Sequence, residues 1–421
     1  MKRLDSKGPA VNKQLLKRTF SSTLLLGLAS AVLAQPAFAN PTHPHHAHSA
    51  HLQETHARRH AARHAHPSSV RTVSLVRTRD GHLHRTVIVR HRYYEHFSAN
   101  SFTDSDITNG DVTVGEDPVV RQAAIDALGN MNGTVVAIDP SNGRILAMVN
   151  QKLALSSGAE PCSTIKVSVA LAALQEGIIT KDTPVNLGGH YHMDLSEALA
   201  RSNNLYFETL GRRLGFERVR HYANSFGLGE LAGWNIPGEQ LGIYPEQVLP
   251  ESEGGVGKMC SFGQGVSMTP LQLGALVASI ANGGTLYYLQ YPRDQQEAHN
   301  LVPRVKRRLE IGSLIPVVET GMRGAVEFGT AHRARDDGEI AGKTGTCSEN
   351  HTHLGWFGSF NESGKRKLVI VVLLTGGRPA IGPLAAGIAG DVYKRLSDTN
   401  YFADAGAGVP ALISSQICCQ R

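Results

Sequence analysis

Two short apolar runs early in the chain's body and three near its end, with helical spacing filling the gap, leave few folds open. Residues 133–139 and 144–149 read as strands joined by Pro140-Ser141-Asn142-Gly143, a cluster of residue types that favour turns. Apolar residues then recur at helical period over about 163–176, 195–214, 217–226, 270–282 and 313–328, after an earlier stretch at 119–128. Residues 340–347, 352–360 and 367–375 read as three successive strands, and 384–397 as a closing helix. A doubly wound sheet would alternate strand and helix throughout, and this order does not. It predicts an α+β fold, an antiparallel sheet of about five strands covered by helices on both faces.

The ends of the chain have a different composition. Lys13, Lys17 and Arg18 close a basic segment, a mostly apolar stretch follows over 20–33, and Ala37-Phe38-Ala39 supplies the small-x-small pattern of a cleavage site. The apolar stretch is shorter than the about 20 residues a membrane span needs. Residues 1–39 are therefore expected to be a signal peptide, or else an uncleaved anchor, which implies export to the periplasm or to the outer face of the cytoplasmic membrane. Residues 40–96 form a His/Arg-rich tether, with nine histidines between 40 and 66. Such a segment can bind a metal or an acidic surface, gaining charge below about pH 6.5, but the irregular spacing favours a solvated tether. Residues 71–94 alternate loosely about Asp80-Gly81, a hairpin signal. A linker over 97–116, a body over 117–397 and a tail over 398–421 complete the division. Of the formal net charge of +6, residues 1–39 carry +5 and residues 40–96 carry +6, so the remainder is at −5. A mildly acidic body excludes a phosphate-tracking surface, and no nucleic-acid partner is expected. No CxxC or Cys/His spacing suggests a metal, and no cofactor motif stands out.

Three segments carry chemistry. In Ser163-Thr164-Ile165-Lys166, helical spacing places the lysine one turn below the serine hydroxyl. A serine is a poor nucleophile until a base takes its proton, and a lysine is that base only when burial or nearby positive charge makes it neutral. Ser202-Asn203-Asn204 lies on the turn entering a helix. There Ser202 can relay a proton and Asn204 can hold Lys166 and a substrate amide, although Ser and Asn are also ordinary helix caps. Lys343-Thr344-Gly345-Thr346 lies on a strand whose edge can offer N–H groups to a substrate and to a developing oxyanion. Gly345 permits close approach, and Lys343 with the two threonines can hold a carboxylate. An edge strand that uses Lys to resist aggregation reads the same way.

In this order the three segments form a set already known in penicillin-binding proteins and serine β-lactamases, and the chain resembles a penicillin-binding transpeptidase domain over roughly residues 117–397. The resemblance also rests on MNGTVVAIDPSNGRILAMVN, SFGQGVSMTPLQL from Ser261 to Leu273, GTAHRA and GWFGSF. It implies that Ser163 is acylated and Lys166 is its base, with Ser202 and Asn204 in proton relay and substrate positioning. It further implies that Lys343, Thr344, Gly345 and Thr346 bind the carboxylate end of the substrate, and that the N–H groups of Ser163 and Thr346 form the oxyanion hole. Gln264 is expected to be structural or cleft-lining. The function implied is D,D-transpeptidation of peptidoglycan stem peptides, with β-lactams as covalent inhibitors and other cell-wall synthesis proteins as partners. A D,D-carboxypeptidase or a serine β-lactamase would use the same three motifs, and a non-catalytic sensing module would have no need of Lys166. No dedicated deacylating carboxylate is evident for a lactamase.

Three cysteines flank these motifs: Cys162 before Ser163, Cys347 after Thr346, and Cys260 before the Ser261 segment. The implied fold brings the segments near one another. Either two of the three form a disulfide bordering the cleft, or they serve as small buried apolar residues. Cys418 and Cys419 fall in the tail, and adjacent cysteines rarely pair with each other.

Overall fold

The structure, a computed structural model, describes residues 106–335, 339–349, 351–376 and 380–403, together with the backbone of 69–77 and 83–91. The expected signal, the histidine-rich part of the tether, the Asp80-Gly81 turn and the tail beyond 403 lie outside the described residues. In chain order the strands are β1 (Ser69–Arg77), β2 (Leu83–His91), β3 (Gly133–Asp139), β4 (Arg144–Val149), β5 (Val185–Asn186), β6 (His192–Met193), β7 (Thr285–Tyr287), β8 (Val305–Arg308), β9 (Ile340–Glu349), β10 (Thr352–Asn361) and β11 (Val369–Gly376). The helices are α1 (Pro118–Leu128), α2 (Gln151–Ala154), α3 (Lys166–Gln175), α4 (Leu195–Ala200), α5 (Asn204–Leu214), α6 (Phe216–Ser225), α7 (Gly255–Phe262), α8 (Pro270–Ala281), α9 (Gln295–His299), α10 (Ile315–Glu327) and α11 (Gly382–Asp398). None of the helices described is long and apolar enough to cross a membrane.

The fold is the expected α+β arrangement. Five antiparallel strands lie in the order β4-β3-β11-β10-β9. Both faces of the sheet are buried, and alternation along each strand divides its side chains between two cores. Val136, Ile138, Val369, Val371 and Leu373 enter one core with the wholly buried α8 and the helices around α3. Val135, Ala137, Ile370, Val372 and Leu374 enter the other, beneath α1 and α11. This explains why β11 reads Val-Ile-Val-Val-Leu-Leu without a polar break: neither face meets water. Trimming one buried Leu or Ile of such a strand to Ala would cost about 2–5 kcal/mol.

The placement of β9 at the end of the sheet matters most for function. Its register with β10 pairs Lys343 with Gly358 and Thr346 with Gly355, so its other edge is free to face the helical side. Upstream, β1 and β2 pair antiparallel from Ser69 with His91 to Arg77 with Leu83, the hairpin expected within the tether.

Contacts with the body reach beyond both of its expected limits. Residues 106–116, read as linker, belong to the body. The Asp111 carboxylate accepts from Asn150 N at 3.0 Å and Gln151 N at 2.8 Å and pairs with Arg121 at 2.9 Å. Glu116 accepts from Met148 N at 2.8 Å and pairs with Arg121 at 2.8 Å. Residues 398–403, read as tail, also continue the body: Tyr401 and Phe402 pack against the second core, and the Tyr401 hydroxyl donates to Asp117 at 3.0 Å. These segments show no periodicity, because they are held by scattered long-range contacts, polar at Asp111 and Glu116 and apolar at Tyr401 and Phe402.

Candidate active site

The helical spacing over 195–214 divides into two helices, α4 and α5, at the turn expected over Ser202-Asn203-Asn204, and the break between them builds part of the site. Ser202 adopts φ +56°, a left-handed conformation that ends a helix, while Asn203 N donates to Ala198 O at 2.9 Å. The Asn203 side chain then accepts from Tyr206 N at 2.9 Å and caps α5. Apolar spacing does not register the break, since α4 and α5 keep burying the same kind of residue on either side of it.

Ser163 stands on a second irregularity. Residues Cys162–Ile165 form a 3₁₀ turn, and the α-helix proper, α3, begins only at Lys166. In a 3₁₀ turn residues three apart eclipse one another, which places Lys166 directly behind Ser163. Lys166 Nζ lies 3.0 Å from Ser163 Oγ, 2.7 Å from Ser202 O, 3.1 Å from Ser202 Oγ and 2.6 Å from Asn204 Oδ1. Lys343 Nζ reaches the same Ser202 Oγ at 2.9 Å and donates to its neighbour Thr344 O at 3.0 Å. Ser202 Oγ therefore bridges the two lysines. Lys166 is fully buried, Lys343 is 1% exposed and Ser163 is 8% exposed.

Burial decides the electrostatics. It lowers the Lys166 pKa to about 6, the charge of Lys343 adds to the shift, and the Glu208 carboxylate opposes it. Burial alone brings Lys343 down to about 7. The contacts of Lys166 have room for a neutral amine. Two of its four partners, Ser202 O and Asn204 Oδ1, only accept. A neutral amine has two N–H groups for them and a lone pair left over for a hydroxyl.

On β9, Lys343, Thr344 and Gly345 are buried and Thr346 is exposed. Thr346 Oγ1 accepts from Gly382 N at 2.8 Å. Gly345 backs onto the nucleophile turn so closely that a Cβ there would lie 2.8 Å from Pro161 O and 3.2 Å from Cys162 Cβ. The structure thus brings Ser163, Lys166, Ser202, Asn204, Lys343, Thr344, Gly345 and Thr346 into one place. It also adds groups to which no role was given from sequence. Thr330 Oγ1 is 2.6 Å from Thr344 Oγ1, and Phe207 turns its ring to Lys166 Nζ at 5.6 Å. Trp356 Nε1 donates to Glu160 O at 2.9 Å, which ties the strap before the nucleophile to β10. Thr330 belongs to the GTAHRA segment, whose sequence assigns it no role; Phe207 carries no local signal beyond its apolar spacing. Of the three flanking cysteines, Cys162 and Cys347 are bridged, while Cys260 is a free thiol buried against Gly211. Among the described residues no group of three or more His, Cys, Asp or Glu is arranged to hold a metal ion.

A buried neutral lysine beside a serine hydroxyl, at the edge of a strand, can generate a serine nucleophile and stabilise the anion it forms on a carbonyl. Comparison of the sequence with known proteins finds a family and several relatives. A model of the penicillin binding protein transpeptidase domain matches residues 133–394. Stage V sporulation protein D of Bacillus subtilis is 29% identical over 319 residues, covering 62% of this chain and 48% of that protein. Penicillin-binding protein PbpB of Mycolicibacterium smegmatis is 26% identical over 282 residues, covering 56% of this chain and 43% of that protein. The peptidoglycan D,D-transpeptidase PbpA of the same organism is 28% identical over 365 residues, covering 70% and 73%. The chain spans less than half the length of the first two relatives.

Proposed function

The chain belongs to the penicillin-binding protein transpeptidase domain family, and we propose that it crosslinks peptidoglycan as a D,D-transpeptidase through an acyl-enzyme at Ser163. The observation that carries this reading is the contact of Lys166 Nζ with Ser163 Oγ at 3.0 Å, with Ser202 and Asn204 holding the same amine.

In this mechanism Ser163 Oγ attacks the carbonyl between the two terminal D-alanines of a stem peptide, and its proton passes to the Lys166 lone pair. The negative oxygen of the tetrahedral intermediate is met by the N–H groups of Ser163 and Thr346. Because Ser163 precedes the first turn of α3, the helix dipole favours the same charge. The proton then travels by way of Ser202 Oγ to the leaving amine, the C–N bond breaks, and the last D-alanine departs. An amine of a neighbouring stem attacks the ester, gives up its proton by the reverse relay, and regenerates the Ser163 hydroxyl. Lys343, Thr344 and Thr346 hold the terminal carboxylate, with Gly345 allowing the substrate backbone to lie along β9. A β-lactam enters by the same attack, but its leaving amine stays tethered to the acyl group.

Export to the periplasm or to the outer face of the cytoplasmic membrane is part of this proposal. It is supported by the signal-like residues 1–39 and by the Cys162–Cys347 bridge, a type of bond that persists in oxidising compartments. The test is intact-protein mass spectrometry after incubation with a labelled penicillin. The wild type should gain one long-lived adduct on the peptide containing Ser163, and Ser163→Ala should gain none. An equal adduct on both proteins overturns the assignment, and rapid turnover of the drug identifies a β-lactamase instead.

A further inference from the structure

The residue before the nucleophile and the residue after the last threonine of the strand motif are joined by a covalent bond. Cys162 and Cys347 lie 185 positions apart in sequence with Cα atoms 5.5 Å apart. The two N–H groups assigned above to the oxyanion hole, those of Ser163 and Thr346, sit one residue from either end of that bond. We propose that Cys162 and Cys347 are positioning residues for acylation, whose bridge fixes the two halves of the oxyanion hole relative to each other. This rests on the transpeptidase reading.

The surroundings of the bridge support the assignment. The strap at Glu160 to Cys162 enters the site with little regular structure, and Cys162 holds φ +52°, a conformation non-glycine residues seldom adopt. The non-covalent ties between this strap and the sheet edge are few. Trp356 Nε1 reaches Glu160 O at 2.9 Å, Glu160 N donates to Glu349 at 3.0 Å, and Gly345 abuts Pro161. Burial and the nearby Glu349 carboxylate raise the Glu160 pKa to about 7, so charge in this corner does not pull the strap onto β9. β9 is bonded to a neighbour strand on one side only. The nucleophile's own α3 is anchored in the helical core, whereas Thr346 belongs to the sheet. Between these two bodies the bridge is the covalent constraint nearest the reacting atoms. A bridge that closes so long a loop also stabilises the fold by restricting the unfolded chain, so stability by itself does not reveal the positioning role.

The test compares three forms of the full chain: oxidised wild type, wild type reduced by dithiothreitol, and the Cys162→Ala/Cys347→Ala double variant. In the reduction the bridge takes two electrons and two protons from the dithiol, which closes to its cyclic disulfide. Peptide mapping without reductant should first find residues 162 and 347 linked and Cys260 free. Saturation kinetics with a fluorescent penicillin then separate drug binding from the acylation rate constant, at a temperature where circular dichroism shows all three forms folded. Both bridge-less forms should acylate roughly 10–100-fold more slowly with drug binding unchanged within about twofold, a loss below the ~10²–10³ of deleting an oxyanion donor outright. Equal acylation constants in all three forms, or free thiols at 162 and 347 in the untreated protein, overturn the proposal. An oxidised wild type that gains no adduct refutes the underlying transpeptidase reading instead, so the two failures are distinguishable. If the double variant unfolds, the reduced wild type alone decides.

Discussion

Lys166 has four polar atoms within hydrogen-bond reach and, when neutral, two protons to give. The arithmetic sets a pH dependence. With its pKa brought down to about 6 by burial and by Lys343, the amine is protonated below that pH and has no lone pair for Ser163. Acylation by a penicillin, followed by stopped-flow fluorescence, should therefore rise with pH through about 6 and then level. Replacing Lys343 by Gln removes a positive neighbour, which favours protonated Lys166, so the rising limb should move to higher pH. A profile unchanged in Lys343→Gln would mean the two amines do not interact. Lys166→Arg keeps a charge that proteins do not remove, and should lower acylation by about 10²–10⁴-fold, the range of a lost general base. The types and spacing of these residues were legible in the sequence. Their protonation was not, because burial of Lys166 and Lys343 is supplied by neighbours such as Phe207 that lie elsewhere in the chain.

At the scale of elements, the break between α4 and α5 and the 3₁₀ turn before α3 bring polar groups into an otherwise apolar layer. Asn203→Ala removes the side-chain bond to Tyr206 N and should cost ~1 kcal/mol of stability. It should also slow acylation, because Ser202 and Asn204 flank the cap. Thermal unfolding and adduct formation measured on the same preparation check both effects, and slower acylation without destabilisation would contradict the capping role. Gly345→Ala pushes a methyl against Pro161 O at 2.8 Å, an overpacking expected to cost about 1–3 kcal/mol. The five strands of the sheet and most helices were readable because their period runs unbroken through apolar residues. α7 was not, since Gly255 and Gly257 weaken its helical propensity; it forms by packing against α5 at Gly211 and Cys260.

Across the whole molecule, Asp111 and Glu116 converge on Arg121 with side-chain exposures of 4%, 1% and 13%. Asp111→Ala leaves that guanidinium half-paired and also strips the N–H groups of Asn150 and Gln151 of their acceptor. The expected loss is roughly 3–5 kcal/mol, as for breaking a buried pair, and thermal melts should show it; an unchanged melting temperature would place residues 106–116 outside the folded body. The sequence by itself determined the α+β class and the five strands, and it singled out the three motifs of the candidate site, because those follow from local period and from short patterns of residue type. Only the tertiary structure decided which contacts reach beyond residues 117–397, which of three cysteines pair, and how deeply Lys166 is buried. Each of those depends on atoms far apart in the chain being a few ångströms apart in space, a distance that no local pattern encodes.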